Sequence, residues 1–145
     1  MYLVDTNVIS AVAPSRPVPS ALAEWIDLHS ASLFLSAVTV AEIEDGIAKL
    51  KREGASRKAA DLSAWLETML HLYEDRVLAF DASTARIAGV MTDRARSQGQ
   101  QPGFADIIIA ATAQRHGLTI LSRDLRHFEP LGVAVIDPLT TLPSG

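Results

Sequence analysis

Four acidic side chains carry the strongest chemical signal in this sequence: Asp5, Glu42, Asp106 and Asp124. Each follows a short apolar run or stands in the first turn of a predicted helix. Carboxylates that converge without basic partners repel one another, and a bound cation relieves that repulsion. Because carboxylate oxygens are hard ligands, such a group is typical of a Mg²⁺ or Mn²⁺ site. The chemistry that most often uses such a site is phosphodiester hydrolysis.

The four acids lie far apart in the sequence, so only the fold can bring them together. Short apolar runs predict strands at residues 2–5, 33–36, 77–80, 119–122 and 133–136. Helices are predicted from Asn7, from Ser20 to about Ser30, from Thr39 to Gly54, from Ser56, from Asp81 to about Ser97, and from Gly103 to His116. This alternation predicts an α/β fold with a short central parallel sheet flanked by helices on both faces. The acids would then gather at the edge where the parallel strands end.

Length and composition narrow the class of protein. A chain of 145 residues suits one domain, which we expect to span residues 1–145. The absence of cysteine excludes disulfides, thiolate metal sites and a cysteine nucleophile. No signal-type or membrane-spanning stretch is evident, so we expect a cytoplasmic protein. The net charge of −4 means that a polyanionic substrate needs a local basic patch, bound metal or both.

Each acid also has a purely structural explanation when it is taken alone. Asp5 and Asp124 can cap the helical turns that follow them. Asp106 lies in a first helical turn, where the helix dipole favours an anion. Thr39 and Glu42 match the capping box T-x-x-E. The metal-site hypothesis therefore rests on the four acids together.

Small residues follow two of the acids. Gly46 lies one helical turn after Glu42, where it leaves room for a metal or a phosphate to approach. Ala110 and Ala113 follow Asp106 along its helix, which indicates close packing around a pocket.

The order and spacing of these motifs resemble the PIN-domain nucleases over essentially the whole chain. The matching segments are Val4–Asn7, Val38–Ile47, Asp106–Ala113 and Leu121–Asp124. Within that family, the sequence resembles the small VapC toxins and their FitB-like branch. Ser122 stands where threonine is more frequent in the family, and it retains the hydroxyl.

The resemblance implies a PIN fold and the toxin of a type II toxin–antitoxin system, with Mg²⁺- or Mn²⁺-dependent endoribonuclease activity. It also implies a homodimer or a dimer of toxin–antitoxin heterodimers, silenced by a small DNA-binding antitoxin of the VapB or FitA type. Position by position, it implies Asp5, Glu42 and Asp106 as the core catalytic metal ligands. Asp124 is the fourth acid of the site, which the family uses less uniformly, and Asn7 and Ser122 support the acids.

Two other classes of protein compete with this interpretation. In the first, the acids form a vestigial site, and the chain is a catalytically weak partner of a DNA-binding antitoxin in a repressor complex. In the second, Asp5 is the nucleophile of a phosphotransfer enzyme. Haloacid-dehalogenase-type phosphatases have a second aspartate two residues after the nucleophile, where this chain has Asn7.

Basic and aromatic residues do not define an RNA-binding surface in the sequence. The four histidines show no ligand spacing. Arg115, Arg123 and Arg126 either contact the RNA backbone or form solvated surface. Trp25 and Trp65 suit the core, a dimer interface or an antitoxin groove. Single-stranded or loop RNA is the expected target, because a narrow acidic site does not easily accept a duplex.

Overall fold

Five short strands form one parallel sheet in the computed structural model, which describes residues 1–14, 17 and 20–144. The strands are β1 (Tyr2–Val4), β2 (Leu33–Ser36), β3 (Val77–Leu78), β4 (Thr119–Leu121) and β5 (Val135–Ile136). Their order across the sheet is β3-β2-β1-β4-β5, and every neighbouring pair is parallel. The predicted α/β architecture is confirmed, although β3 and β5 are shorter than the apolar runs that contain them.

Seven α-helices connect these strands within the described residues. They are α1 (Thr6–Ile9), α2 (Ser20–Leu28), α3 (Ala37–Arg52), α4 (Ser56–Tyr73), α5 (Ala82–Ser97), α6 (Phe104–His116) and α7 (Leu125–Phe128). Ser20, predicted as a cap, is the first residue of α2, and the position before it lies outside the described residues. None of the described helices is both long and apolar enough to cross a lipid bilayer.

The helices form one layer on each face of the sheet because adjacent residues of a strand point to opposite faces. Val4 of β1 belongs to a core that also holds Ile43 of α3 and Leu66 of α4. Its neighbour Leu3 belongs to a second core, which holds Met91 of α5. Most residues of β1, β2 and β4 are buried whichever face they point to, which explains why these sequences do not alternate.

The start of α3 differs from the prediction. The hydroxyl of Ser36, the last residue of β2, accepts a hydrogen bond from the Val38 amide at 3.1 Å and caps the helix. Thr39 therefore lies inside the first turn and is fully buried. The capping-box interpretation of Thr39 and Glu42 is wrong, because the helix begins three residues earlier and Ser36, not Thr39, is its N-cap residue.

The triple-isoleucine segment forms helix α6, as predicted. Gly117 ends it in the left-handed conformation, with φ of 64°. The helix is buried nearly all round between the sheet and α5, so its apolar residues show no single stripe. Ala110 and Ala113 pack in the second core, as expected from close packing, and they border neither of the two cavities beside Glu42 and Asp106.

Candidate functional site

The four predicted acids meet at the edge where the parallel strands end. Asp5 follows β1 directly, and Asp124 lies three residues after β4. Glu42 lies on α3 after β2, and Asp106 lies in the first turn of α6. Asp5 is close enough to Asp106 and Glu42 for their charges to raise its pKa, and Asp106 responds in the same way to Asp124 and Glu42.

Asp5 is the buried centre of this group, with a relative exposure of 6%. One carboxylate oxygen, Oδ1, accepts a hydrogen bond from the Thr6 amide at 2.8 Å, which caps α1. The other oxygen, Oδ2, accepts one from the Ser122 hydroxyl at 2.7 Å. Burial is the main reason that the pKa of Asp5 rises from 3.8 to about 6, and these two hydrogen bonds oppose the rise. The acid is thus oriented from two sides while its charge is disfavoured.

Ser122 and Asn7 connect Asp5 to Asp124. The fully buried Ser122 hydroxyl also accepts a hydrogen bond from the Asp124 amide at 2.9 Å. The Asn7 side-chain amide donates to Asp124 Oδ2 at 3.0 Å, and its oxygen accepts from the Arg123 amide at 3.2 Å. Asp124 occupies the predicted N-cap position of α7, but its side chain makes no capping hydrogen bond there.

Glu42 is oriented by a residue that the sequence analysis missed. The Thr6 hydroxyl donates a hydrogen bond to Glu42 Oε1 at 2.6 Å, and it lies 3.0 Å from the Thr39 hydroxyl. The only signal in the sequence was that Thr6 stands directly between Asp5 and Asn7. Thr6 thus contributes its amide to one acid and its hydroxyl to another.

His127 was also missed, and it lies against two of the acids. Its Nδ1 is 3.2 Å from Asp106 Oδ2 and 3.9 Å from Asp124 Oδ2. Burial raises the pKa of Asp106, the charge of His127 opposes that rise, and Asp124 and Glu42 add to it. The position of His127 three residues after Asp124, on a helical turn, was the available signal.

The donor set fits a hydrated divalent cation. Among the described residues, no group of three or more histidine, aspartate or glutamate side chains is arranged as a cage that could hold a metal ion. Mg²⁺ usually retains several waters and takes only one or two carboxylates directly, so it does not require such a cage. The acids also raise the pKa of Asp5 and Asp106 by mutual repulsion, which a bound cation would relieve.

Two cavities flank the acids. The first has a volume of about 320 Å³ and is bordered by Thr6, Glu42 and Gly46. Apart from its chain neighbours and its own helix backbone, a Cβ atom on Gly46 would meet no atom within 4 Å, which agrees with the predicted open space beside Glu42. The second has a volume of about 490 Å³ and is bordered by Asp106 and His127.

Several of the other candidate residues have structural partners. Arg115 forms an ion pair with Asp81 at the start of α5. Trp25 is 7% exposed, and its indole nitrogen donates to the Pro143 carbonyl at 3.2 Å. Trp65 packs, partly buried, against the first core. The structure thus places both tryptophans in or against the core.

Comparison with known proteins gives consistent similarities over nearly the whole chain. The PIN domain family model matches residues 2–131. Toxin FitB of Neisseria gonorrhoeae is 40% identical over 141 residues, which are 95% of this chain and 98% of that protein. VapC ribonuclease Y4jK of Sinorhizobium fredii is 37% identical over 140 residues, which are 95% of this chain and 97% of that protein.

Solved structures show the same similarity in three dimensions. The crystal structure of FitAcB from Neisseria gonorrhoeae matches with a TM-score of 0.83 and 37% identity, covering 96% of this chain and 99% of that one. A structure of FitAB bound to an IR36 DNA fragment matches with a TM-score of 0.76 and 35% identity, covering 95% of each chain.

Proposed function

We propose that this chain, which belongs to the PIN-domain family, is the toxin of a type II toxin–antitoxin pair and acts as a divalent-metal-dependent endoribonuclease. The observation that carries the proposal is the group of four acids, Asp5, Glu42, Asp106 and Asp124, at one edge of the sheet. The similarity to a FitB toxin and to a VapC ribonuclease supports the same assignment. We assign residues 1–145 to one nuclease domain, and this is supported by the two cores of the described residues, which share one sheet.

The chain's own residues orient the four acids before any cation arrives. The Ser122 hydroxyl and the Thr6 amide hold Asp5, and the Thr6 hydroxyl holds Glu42. Asn7 holds Asp124. Such supporting hydrogen bonds fix the direction of a carboxylate and tune its affinity for metal.

The four acids would hold Mg²⁺ or Mn²⁺, and the bound cation would supply an activated water and stabilise charge on the phosphoryl oxygens. Without the cation, the acids would repel the RNA backbone. The substrate is RNA in single-stranded or loop form, because proteins reach the unstacked bases of such RNA more easily than those of a duplex.

The partner is a small DNA-binding antitoxin of the FitA or VapB type. This part of the proposal rests on the similarity to the structure of FitAB bound to DNA. The assembly is a homodimer of this chain or a dimer of toxin–antitoxin heterodimers. We place this chain in the cytoplasm, because the proposed substrate is cellular RNA.

The proposal is tested by incubating the purified chain, without antitoxin, with a mixed RNA pool in Mg²⁺, in Mn²⁺ and in EDTA. Discrete fragments are expected with either metal and none with EDTA. Glu42→Gln should lower the cleavage rate by more than the roughly 10- to 100-fold typical of a supporting residue, because Glu42 is a proposed direct ligand. Glu44→Gln is the matched control, since Glu44 is exposed two residues further along α3 and outside the site.

Cleavage that survives both EDTA and Glu42→Gln would contradict the assignment of the site. A folded, metal-loaded chain that cuts no RNA but binds its antitoxin would favour the alternative function. In that alternative the chain is a catalytically weak partner of the antitoxin, acting mainly in a repressor complex.

A further inference from the structure

We infer that the cavity between α7 and the loop that precedes α6 is a nucleotide-binding subsite next to the acids. In this subsite Arg126 contacts an RNA phosphate, and Gln100 and Gln101 contact the edge of a base. The inference rests on the proposed ribonuclease function and adds a substrate-binding surface to it.

The cavity is continuous with the acidic site. It has a volume of about 490 Å³, within the range of roughly 300–1,000 Å³ that small-ligand pockets occupy. Asp106 and His127 border the cavity, and both also belong to the acidic site. An RNA strand whose scissile phosphate lies at the acids would therefore place an adjacent nucleotide in this cavity.

Arg126 is the only arginine or lysine that borders the cavity in the described part of the chain. It is exposed, and its guanidinium makes no hydrogen bond or ion pair with any described residue. Arg115, by contrast, is already paired with Asp81. A guanidinium presents a planar set of donors that matches the oxygens of a phosphate. The chain has a net charge of −4, so an incoming RNA backbone needs a local positive charge, and the Arg126 guanidinium provides one beside the cavity.

The rest of the cavity combines amides with apolar walls. The side chains of Gln100 and Gln101 have no hydrogen-bond partner among the described residues, so their donors and acceptors are available. Pro102, Pro130 and Leu131 border the same space and offer apolar surface to a base or a ribose. Proteins read single-stranded RNA through the edges of bases that are splayed away from a duplex. The lining therefore suits one unstacked nucleotide.

The phosphate contact is tested by the salt dependence of RNA binding. The background is Asp5→Asn, which should prevent cleavage and does not alter the lining of the cavity. A labelled single-stranded RNA is titrated in Mg²⁺ at several salt concentrations, with fluorescence anisotropy as the measurement. Adding Arg126→Ala should weaken binding roughly tenfold or more. It should also reduce the slope of log K against log salt by about 0.7, the value for one phosphate contact in a single strand.

Controls separate a phosphate contact from a structural effect. Arg126→Lys should keep the salt slope because it keeps the charge. Arg86→Ala removes an exposed arginine of α5 that does not border the cavity, so it should change neither affinity nor slope. Arg126→Gln provides a second neutral variant, with circular dichroism as the check on folding. An unchanged slope in both neutral variants, or an equal loss in Arg86→Ala, would overturn the inference.

The base contact is tested by kinetics in the metal-loaded enzyme with Asp5 intact. Oligonucleotides that differ at one nucleotide next to the cut are compared by kcat/KM. Gln100→Ala together with Gln101→Ala should reduce the preference for the best nucleotide over the worst by about fivefold or more. Gln114→Ala is the matched control, an exposed glutamine of α6 outside this cavity, and it should leave the preference unchanged.

Failure of the subsite and failure of the proposed function give different results. If the wild type cleaves RNA while the Arg126 variants retain the wild-type salt slope, only the subsite is overturned. If the metal-loaded wild type neither binds nor cleaves RNA, both the proposed function and the proposed subsite are overturned.

Discussion

At the scale of single residues, hydrogen-bond donors orient the carboxylates of the candidate site, although burial disfavours the charged form of Asp5. Asp5 receives hydrogen bonds from Thr6 and Ser122, yet burial still raises its pKa to about 6. The metal-free site therefore retains protons at a pH where an exposed aspartate has lost them. A bound cation would favour the charged form and reverse this shift.

The raised pKa of Asp5 predicts how the stability of the metal-free protein depends on pH. In EDTA, the folded state holds a proton on Asp5 between pH 3.8 and about 6, where the unfolded state has lost it. The stabilising contribution is therefore complete below pH 3.8 and is lost as the pH rises through about 6. A shift of this size corresponds to roughly 2–3 kcal/mol in the free energy of unfolding.

Urea unfolding in EDTA between pH 4 and 7, compared with Asp5→Asn, is the measurement. The variant should remove most of Asp5's contribution to the pH dependence. It should also unfold at a higher urea concentration than the wild type at pH 7. Asp81, whose pKa is lowered to about 2 by hydrogen bonds from Thr84 and Arg115, titrates below this window. An identical pH dependence in wild type and variant would contradict the raised pKa of the buried Asp5.

At the scale of elements, the helix α3 and the C-terminus of α6 show two different uses of glycine. Gly46 lies within α3 in ordinary helical conformation, beside open space and Glu42. Gly117 ends α6 with φ of 64°, a conformation that an L-residue with a side chain adopts only at a cost. Gly46 leaves the cavity beside Glu42 open, and Gly117 allows the chain to leave helix α6 in a left-handed conformation.

Alanine at each of these glycines should therefore change stability in opposite directions. Gly46→Ala should raise the free energy of unfolding by about 0.5–1 kcal/mol, because alanine favours the helix and, apart from its chain neighbours and its own helix backbone, its Cβ meets no atom within 4 Å. Gly117→Ala should lower it by about 1–2 kcal/mol, because its conformation is left-handed. Urea unfolding of the two variants beside the wild type measures both effects. Destabilisation by Gly46→Ala would show that the space beside Glu42 is not open.

At the scale of the whole molecule, a chain with a net charge of −4 is expected to act on a polyanion through its bound metal and a small number of local cations. The strands β1, β2 and β4 lead to Asp5, Glu42 and Asp124 at one edge of the sheet, and helices cover both of its faces. The two flanking cavities lie beside this edge. Metal binding should therefore be visible as a property of the folded molecule, separately from catalysis.

Mg²⁺ or Mn²⁺ should raise the melting temperature of the purified chain relative to EDTA. A ligand present at about 100 times its Kd stabilises the folded state by about 2.7 kcal/mol. For a domain of this size, that corresponds to a rise of roughly 5–10 °C. Glu42→Gln should reduce the rise, whereas Glu44→Gln should not. Equal rises in both variants would show that the cation binds somewhere other than the four acids.

The sequence by itself determined the class of fold and the identity of the acids. Apolar runs, helical spacing and helix ends are local properties, so the alternation of strands and helices could be predicted from neighbouring residues. Asp81 caps α5 and Gly117 ends α6 as their local patterns predicted. The four acids could be singled out because each follows an apolar run or stands near the start of a predicted helix.

Only the tertiary structure decided which side chains support those acids. Thr6 and Glu42 are separated by 36 positions, and Ser122 and Asp5 by 117, so no local pattern connects them. His127 has no ligand spacing in the sequence, and only the packing of α7 beside α6 places it next to Asp106. Strand order and helix packing determine these contacts, because they decide which distant chain segments share one edge of the sheet.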